Sequence, residues 1–149
     1  MKIRPVSEAD SLEWERLRQR LWPSPVGEHT GEIAAFFRGP RTNPAEVFLA
    51  VDESGRIIGF AEVSIRREAA GCALGRVAFL EGWYVEDAFR RTGVGAGLVA
   101  AVEDWARREG CSELASDTET HNDLSIVAHR ALGFEEVERV VCFRKSLRR

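Results

Sequence analysis

A chain of 149 residues has the length of a single domain and can bury a proper core, and its 44% hydrophobic and 30% charged residues make an ordinary globular balance. No apolar run is long enough to span a bilayer, and Met1-Lys2-Ile3-Arg4-Pro5 lacks the apolar stretch of a signal peptide, so a cytoplasmic protein is expected. A net charge of −3 disfavours nonspecific nucleic-acid binding, while Cys72, Cys111 and Cys142, like His29, His121 and His129, show neither a disulfide framework nor metal-ligand spacing.

Residues 2–6 read as a strand. Ser7-Glu8-Ala9-Asp10 follows as a capping signal, with the Ser7 hydroxyl free to satisfy an orphan N–H and Asp10 in the positive first turn. Trp14, Leu17 and Leu21 then recur at helical spacing until Pro23 and Pro25 end the helix. Residues 28–37 supply a second helix, and Gly39-Pro40 and Asn43-Pro44 an irregular link. Residues 47–51 and 56–66 are strands joined by the turn Asp52-Glu53-Ser54-Gly55, which is a hairpin signal. Residues 77–85 form another apolar strand, interrupted by Glu81 and Gly82.

Residues 93–109 carry the clearest helical pattern. Val94, Leu98, Val102 and Trp105 share a face, Glu103–Arg107 and Asp104–Arg108 are spaced as supporting ion pairs, and Gly110 suits the left-handed residue past the end. Residues 113–116 read as a short strand, 124–132 as a helix stopped by Gly133, and 134–145 as two closing strands or one long bent one. The whole order, β-α-α-β-β-β-α-β-α-β, predicts an α/β (α+β) chain: one domain, residues 1–149, with helices on both faces of a mixed sheet.

The chemistry concentrates where the strand ending at Val85 gives way to Phe89-Arg90-Arg91-Thr92-Gly93-Val94-Gly95-Ala96-Gly97-Leu98. Glycines let backbone approach a ligand, and the unpaired amides of a helix start carry partial positive charge, so a diphosphate fits there with Arg90 and Arg91 as added cations. A dinucleotide fingerprint is excluded because Leu98 takes its third glycine position, and no Gly-Lys-Ser/Thr phosphate loop occurs.

These residues resemble the hallmark of the GCN5-related N-acetyltransferase (GNAT) superfamily, Arg/Gln-x-x-Gly-x-Gly/Ala, at Arg90, Gly93 and Gly95. The preceding Trp83-Tyr84-Val85 and the closing Ala131-Leu132-Gly133-Phe134 fit as well. The resemblance implies a GNAT fold, a twisted and mostly antiparallel sheet with splayed central strands. It also implies acetyl-coenzyme A as cosubstrate, bound by Trp83, Tyr84, Val85, Arg90, Arg91, Thr92, Gly93, Val94, Gly95 and Ala96, with Asn122 and His129 from the following helix. No metal is implied.

A narrower likeness lies in Leu21-Trp22-Pro23, Ser64-Ile65-Arg66, Phe79-Leu80-Glu81-Gly82, Ala115-Ser116-Asp117-Thr118 and the run from Gly133 to Val140. These look like the aminoglycoside 6′-N-acetyltransferases of bacterial antibiotic resistance. That likeness implies a cationic aminoglycoside held by Trp22, Glu81, Asp117 and Glu138, Glu81 or Asp117 as proton acceptor, and a homodimer.

The residue chemistry agrees. Carboxylates attract and hydrogen-bond a polyamine, and an indole can stack on a sugar or meet a cation. A charge such as Glu81 inside an apolar strand is costly unless it is used or paired, so a buried structural ion pair is the competing expectation. Asp117 equally suits a turn, Trp22 a core, and Glu138 an exposed hairpin. His129 stands where many superfamily members place a tyrosine acid, and its position on a helix allows packing as readily as proton donation.

Overall fold

The computed structural model describes every residue, Met1–Arg149, in two compact units, Met1–Asp117 and Thr118–Arg149. The first unit is built on a five-stranded sheet whose spatial order follows the chain: β1 (Lys2–Pro5), β2 (Glu46–Val51), β3 (Ile57–Arg66), β4 (Val77–Val85) and β5 (Leu114–Ser116). Every pairing is antiparallel except β4 with β5, which is parallel. The β2–β3 hairpin closes as its composition predicts: Asp52 Oδ1 accepts from the amides of Ser54 at 2.9 Å and Arg56 at 3.0 Å, and Gly55 takes φ +88°.

Helices α1 (Ser11–Leu21) and α2 (Glu28–Arg38) cover one face of this sheet and α3 (Val94–Arg108) the other. Strand alternation divides the labour. Phe60 and Tyr84 join Trp14, Leu17, Ile33 and Phe36 in one cluster, whereas a Cβ at Gly59 would meet the Leu98 side chain at 3.2 Å. Each large side chain so buried contributes about 1.5–3 kcal/mol. On α3 the expected Val94, Leu98, Val102 and Trp105 are all buried, with Val99 and Ala106 beside them.

The element order is borne out to within a residue or two through the fourth helix, α4 (Asp123–Ala131), which lies in the second unit. The capping signal at Ser7 is present as a capping box with Asp10, whose carboxylate accepts from the Ser7 amide at 2.8 Å and the Ser7 hydroxyl at 3.0 Å, and it opens a 3-10 turn at Glu8–Asp10 that precedes α1. Two expectations need correction. On α3 both acids turn to Arg107, with Asp104 at 3.1 Å and Glu103 at 3.6 Å, so Asp104 does not pair with Arg108. Residues 134–149 form no strand. Their alternating sequence satisfies the local rule for a strand, but a strand exists only where a neighbour accepts its ladder, and no strand of this chain pairs with them.

Candidate active site

The candidate site begins with an irregularity in β4. Leu80 pairs with Val63 and Gly82 with Glu62, so Glu81 is an extra residue opposite no partner: a β-bulge. The side chain is largely covered and forks onto Arg66, accepting from Nε at 3.0 Å and from a terminal nitrogen at 2.6 Å. Arg66 lies 3.5 Å over the Phe79 ring. The Glu81 hydrogen bond, and the charges of Glu81 and Asp117, raise the Arg66 pKa above its ordinary value against a smaller opposing effect of burial. Asp117, exposed just past the end of β5, thus acts on the same guanidinium as Glu81.

Trp22 closes the opposite side of Gly82. A Cβ on that glycine would lie 2.4 Å from the indole Cη2, so only glycine admits the ring here. The indole also meets Phe60 edge-on, at 6.2 Å between centroids, and the Arg18 guanidinium at 5.2 Å. Gly82 and Arg66, absent from the expected site residues, were visible only as members of motifs. Their use comes from contacts between distant segments.

The parallel pairing of β4 and β5 runs only from Ala78–Leu114 to Leu80–Ser116. Beyond it, residues 81–85 keep β3 on one edge and have no strand on the other, which is the expected splay. At the end of this open edge the chain turns through Arg91, at φ +62°, and Gly93, at φ +90°, into α3. The amides of residues 91–96 find no acceptor within the chain; the first that does is Gly97, bonded to the Gly93 carbonyl at 3.0 Å. Left-handed residues among right-handed ones turn successive amides inward into a concavity that suits an anion. A diphosphate fits this donor set.

The remaining expected contacts divide by side chain. Gly95 lets Trp83 close in, since a Cβ there would stand 3.1 Å from the indole, and Trp83 Nε1 donates to the Gly95 carbonyl at 3.2 Å. Tyr84 is buried against Phe60, so its main chain rather than its phenol lies at the open edge. Val85 is also buried, and its carbonyl accepts from Arg90 Nε at 2.8 Å. Arg90 further pairs with Asp87 at 3.1 Å, which draws it onto the protein and leaves Arg91 as the outward cation. The Thr92 hydroxyl donates to the Phe89 carbonyl, and Val94 is buried at the start of α3. Ala96 contributes its amide.

In the second unit, Asn122 caps α4 by accepting from the Ser125 amide at 3.1 Å. His129 donates through Nδ1 to the Ser125 carbonyl at 2.7 Å and packs edge-on against Phe134. Glu138 is exposed. An open cavity of about 330 Å³ in the first unit is lined by Arg41, Arg66, Arg67 and Arg76, a lining that repels a polyamine.

Comparison with known proteins agrees with this geometry. The Acetyltransferase (GNAT) family profile matches residues 12–134, and the chain belongs to that family, whose members carry acetyl groups from acetyl-coenzyme A. A curated relative from Klebsiella aerogenes, aminoglycoside N(6′)-acetyltransferase type 1, is 52% identical over 146 residues, 97% of this chain and 96% of its own length. A relative of the same name from Stenotrophomonas maltophilia is 44% identical over 149 residues, 97% of this chain and 93% of its own length. Among solved structures, AAC(6′)-Iy in complex with the bisubstrate analog CoA-S-monomethyl-acetylneamine superposes with a TM-score of 0.87 at 39% identity, covering 97% of each chain. AAC(6′)-Ih from Acinetobacter baumannii gives 0.88 at 39%, covering 98% of each chain.

Proposed function

We propose that this acetyltransferase moves the acetyl group of acetyl-coenzyme A onto the 6′ amine of an aminoglycoside antibiotic and so confers resistance. The observation that carries the reading is the bulged Glu81. It leaves a carboxylate next to the Gly82 that Trp22 covers, sharing Arg66 with the charge of Asp117, at the start of the open edge of β4 that leads to the unpaired amides of residues 91–96. Relatives bearing this name at up to 52% identity support the substrate class.

Acetyl-coenzyme A supplies the activated acyl group. Amides of residues 91–96 hold its diphosphate, and the open edge of β4 holds the pantetheine arm. Trp22 and Glu81 bind the acceptor, and Arg66 keeps the Glu81 carboxylate oriented; Glu138 is assigned to the acceptor on the family likeness alone. The acceptor nitrogen must be neutral to attack the thioester carbon. Asp117, exposed and unforked, removes the ammonium proton; Glu81, which is committed to Arg66, is the weaker candidate for that step. An amide at Tyr84 or Val85 faces the negative charge that develops on the thioester oxygen. The carbon–sulfur bond then breaks and the coenzyme leaves as its thiol. Holding amine and thioester together accounts for much of the rate.

Neither Cys72 nor Cys111 suits a cysteinyl intermediate: burial, reinforced by Glu113, pushes the Cys72 thiol up, and Cys111 is buried. We assign Asn122 and His129 to the coenzyme on the family likeness alone. The family match runs across the division at Asp117, which supports one functional domain over residues 1–149. No helix is long and apolar enough to cross a membrane, and we place the enzyme in the cytoplasm with no membrane or nucleic-acid partner. We further infer a homodimer, because residues 134–149 leave Val141, Phe143 and Leu147 75%, 91% and 86% exposed.

The test is thiol release with kanamycin- and tobramycin-like acceptors, followed by NMR location of the acetyl group. Acetylation at the 6′ nitrogen is expected. Turnover confined to other amines would replace the substrate, and no turnover with tight coenzyme binding would favour a sensor.

A further inference from the structure

Behind Trp22 lies a buried polar chain that the acetyl transfer itself does not use. Glu62, 1% exposed, sits at the β3 side of the bulge and accepts from Trp14 Nε1 at 2.8 Å and from Arg18 at 2.7 and 3.1 Å. Arg18, 5% exposed, also donates to Glu32 at 2.5 Å and to His29 Nδ1 at 3.2 Å. His29, 6% exposed, completes the chain, with Nε2 lying 2.8 Å from the Trp22 carbonyl.

These contacts fix the imidazole. A guanidinium can only donate, so Nδ1 must accept; a carbonyl can only accept, so Nε2 must carry the hydrogen. His29 is thereby a neutral adaptor between a cation and a main-chain oxygen. Arg18 and His29 hold Trp22 from both ends, because Arg18 lies over the indole face while His29 grips the carbonyl of the same residue. Trp22 is the last residue that α1 itself holds: it caps the helix, its amide donating to the Arg18 carbonyl at 2.7 Å, and Pro23 removes the donor that would continue the helix.

We propose that His29 is a positioning residue for the acceptor site: through Arg18 and the Trp22 carbonyl it locks the indole over Gly82 and so sets acceptor affinity without touching the acceptor. The inference rests on the reading of Trp22 as an acceptor wall. Two amides distinguish its contacts. The terminal amide of glutamine reaches the position of Nε2 and can donate to the Trp22 carbonyl. That of asparagine reaches only the position of Nδ1.

His29→Gln, His29→Asn and Trp22→Ala are compared by steady-state kinetics with tobramycin, and the histidine variants also by fluorine NMR of protein labelled with 5-fluorotryptophan, the Trp22 signal being assigned from Trp22→Phe. His29→Asn is expected to raise the acceptor KM about tenfold, with the acetyl-coenzyme A KM unchanged and the Trp22 signal shifted. His29→Gln should recover most of the affinity and the native signal. Equal behaviour of the two amide variants, or an unmoved Trp22 signal in His29→Asn, overturns the positioning role. An unchanged acceptor KM in Trp22→Ala instead overturns the acceptor-wall reading and, with it, the effect on affinity, while the fluorine signal still reports whether His29 holds the ring.

Discussion

At Gly82 a single hydrogen atom separates a working site from an obstructed one. The Cβ of Gly82→Ala would enter the Trp22 ring at 2.4 Å, with β4 backbone on one side and packed indole on the other. Accommodating it displaces the ring, at about 1–3 kcal/mol. The acceptor KM should rise and the thermal midpoint fall together; a variant with native values for both would show that the ring moves freely. Asp117→Asn removes only a charge at an exposed position. It should lower acceptor turnover by about 100-fold while calorimetry shows coenzyme binding unchanged. Unchanged turnover would strip Asp117 of its role as base.

How far these residues were legible varies with the range of the signal. Glu81 announced itself locally, as a charge in an apolar run. Its bulge did not, because a bulge is a relation between two strands. The sequence exposed Trp22 but not the glycine beneath it, the guanidinium above it or the histidine behind it, since each of those contacts is made across the fold. Arg90 illustrates the converse. Its motif position was plain, whereas its hydrogen bond to the Val85 carbonyl turns the expected phosphate ligand into a brace for the loop.

At the scale of elements, the entry to α3 couples backbone shape to ligand capture. Gly93 holds φ +90° with open space around it, so Gly93→Ala meets no clash but forces a side chain into a left-handed conformation, costing about 1–2 kcal/mol. Calorimetry should find acetyl-coenzyme A binding weakened by about tenfold if the chain relieves that strain by turning its amides away. Native affinity would mean that the amide concavity is not the diphosphate site. This helix and its glycine-rich entry were readable from periodicity and turn chemistry, both local properties. Residues 134–145 were read as closing strands that the fold does not form, because alternation specifies a face to bury and leaves the partner unnamed.

The whole molecule registers pH through a pair near the start of the chain. Arg4 on β1 forks onto Asp10 at 2.7 and 2.9 Å, and chiefly that hydrogen bonding lowers the Asp10 pKa from 3.8 to about 2. A folded-state pKa below the unfolded value means stabilisation that is complete above about pH 4 and lost as pH falls through about 2. Asp10→Asn should therefore be less stable than the parent by about 1 kcal/mol at pH 7, a gap that closes near pH 2 in denaturant unfolding. A gap independent of pH would assign the effect to packing. The unpaired residues 134–149 act at the same scale. Light scattering should return twice the 16.7 kDa chain mass at micromolar concentration, and a monomer there would remove the dimer inference.

Glu81 makes β4 one link longer than the stretch of β3 it runs beside. Excising that link would bring Leu80 and Gly82 into consecutive ladder positions and yield a smoother ribbon, while discarding the carboxylate proposed to bind the acceptor. Selection for sturdiness alone would favour the shorter strand. A lineage no longer challenged by the drug would be free to lose this residue by in-frame deletion, and the resulting protein should still fold and still retain its coenzyme.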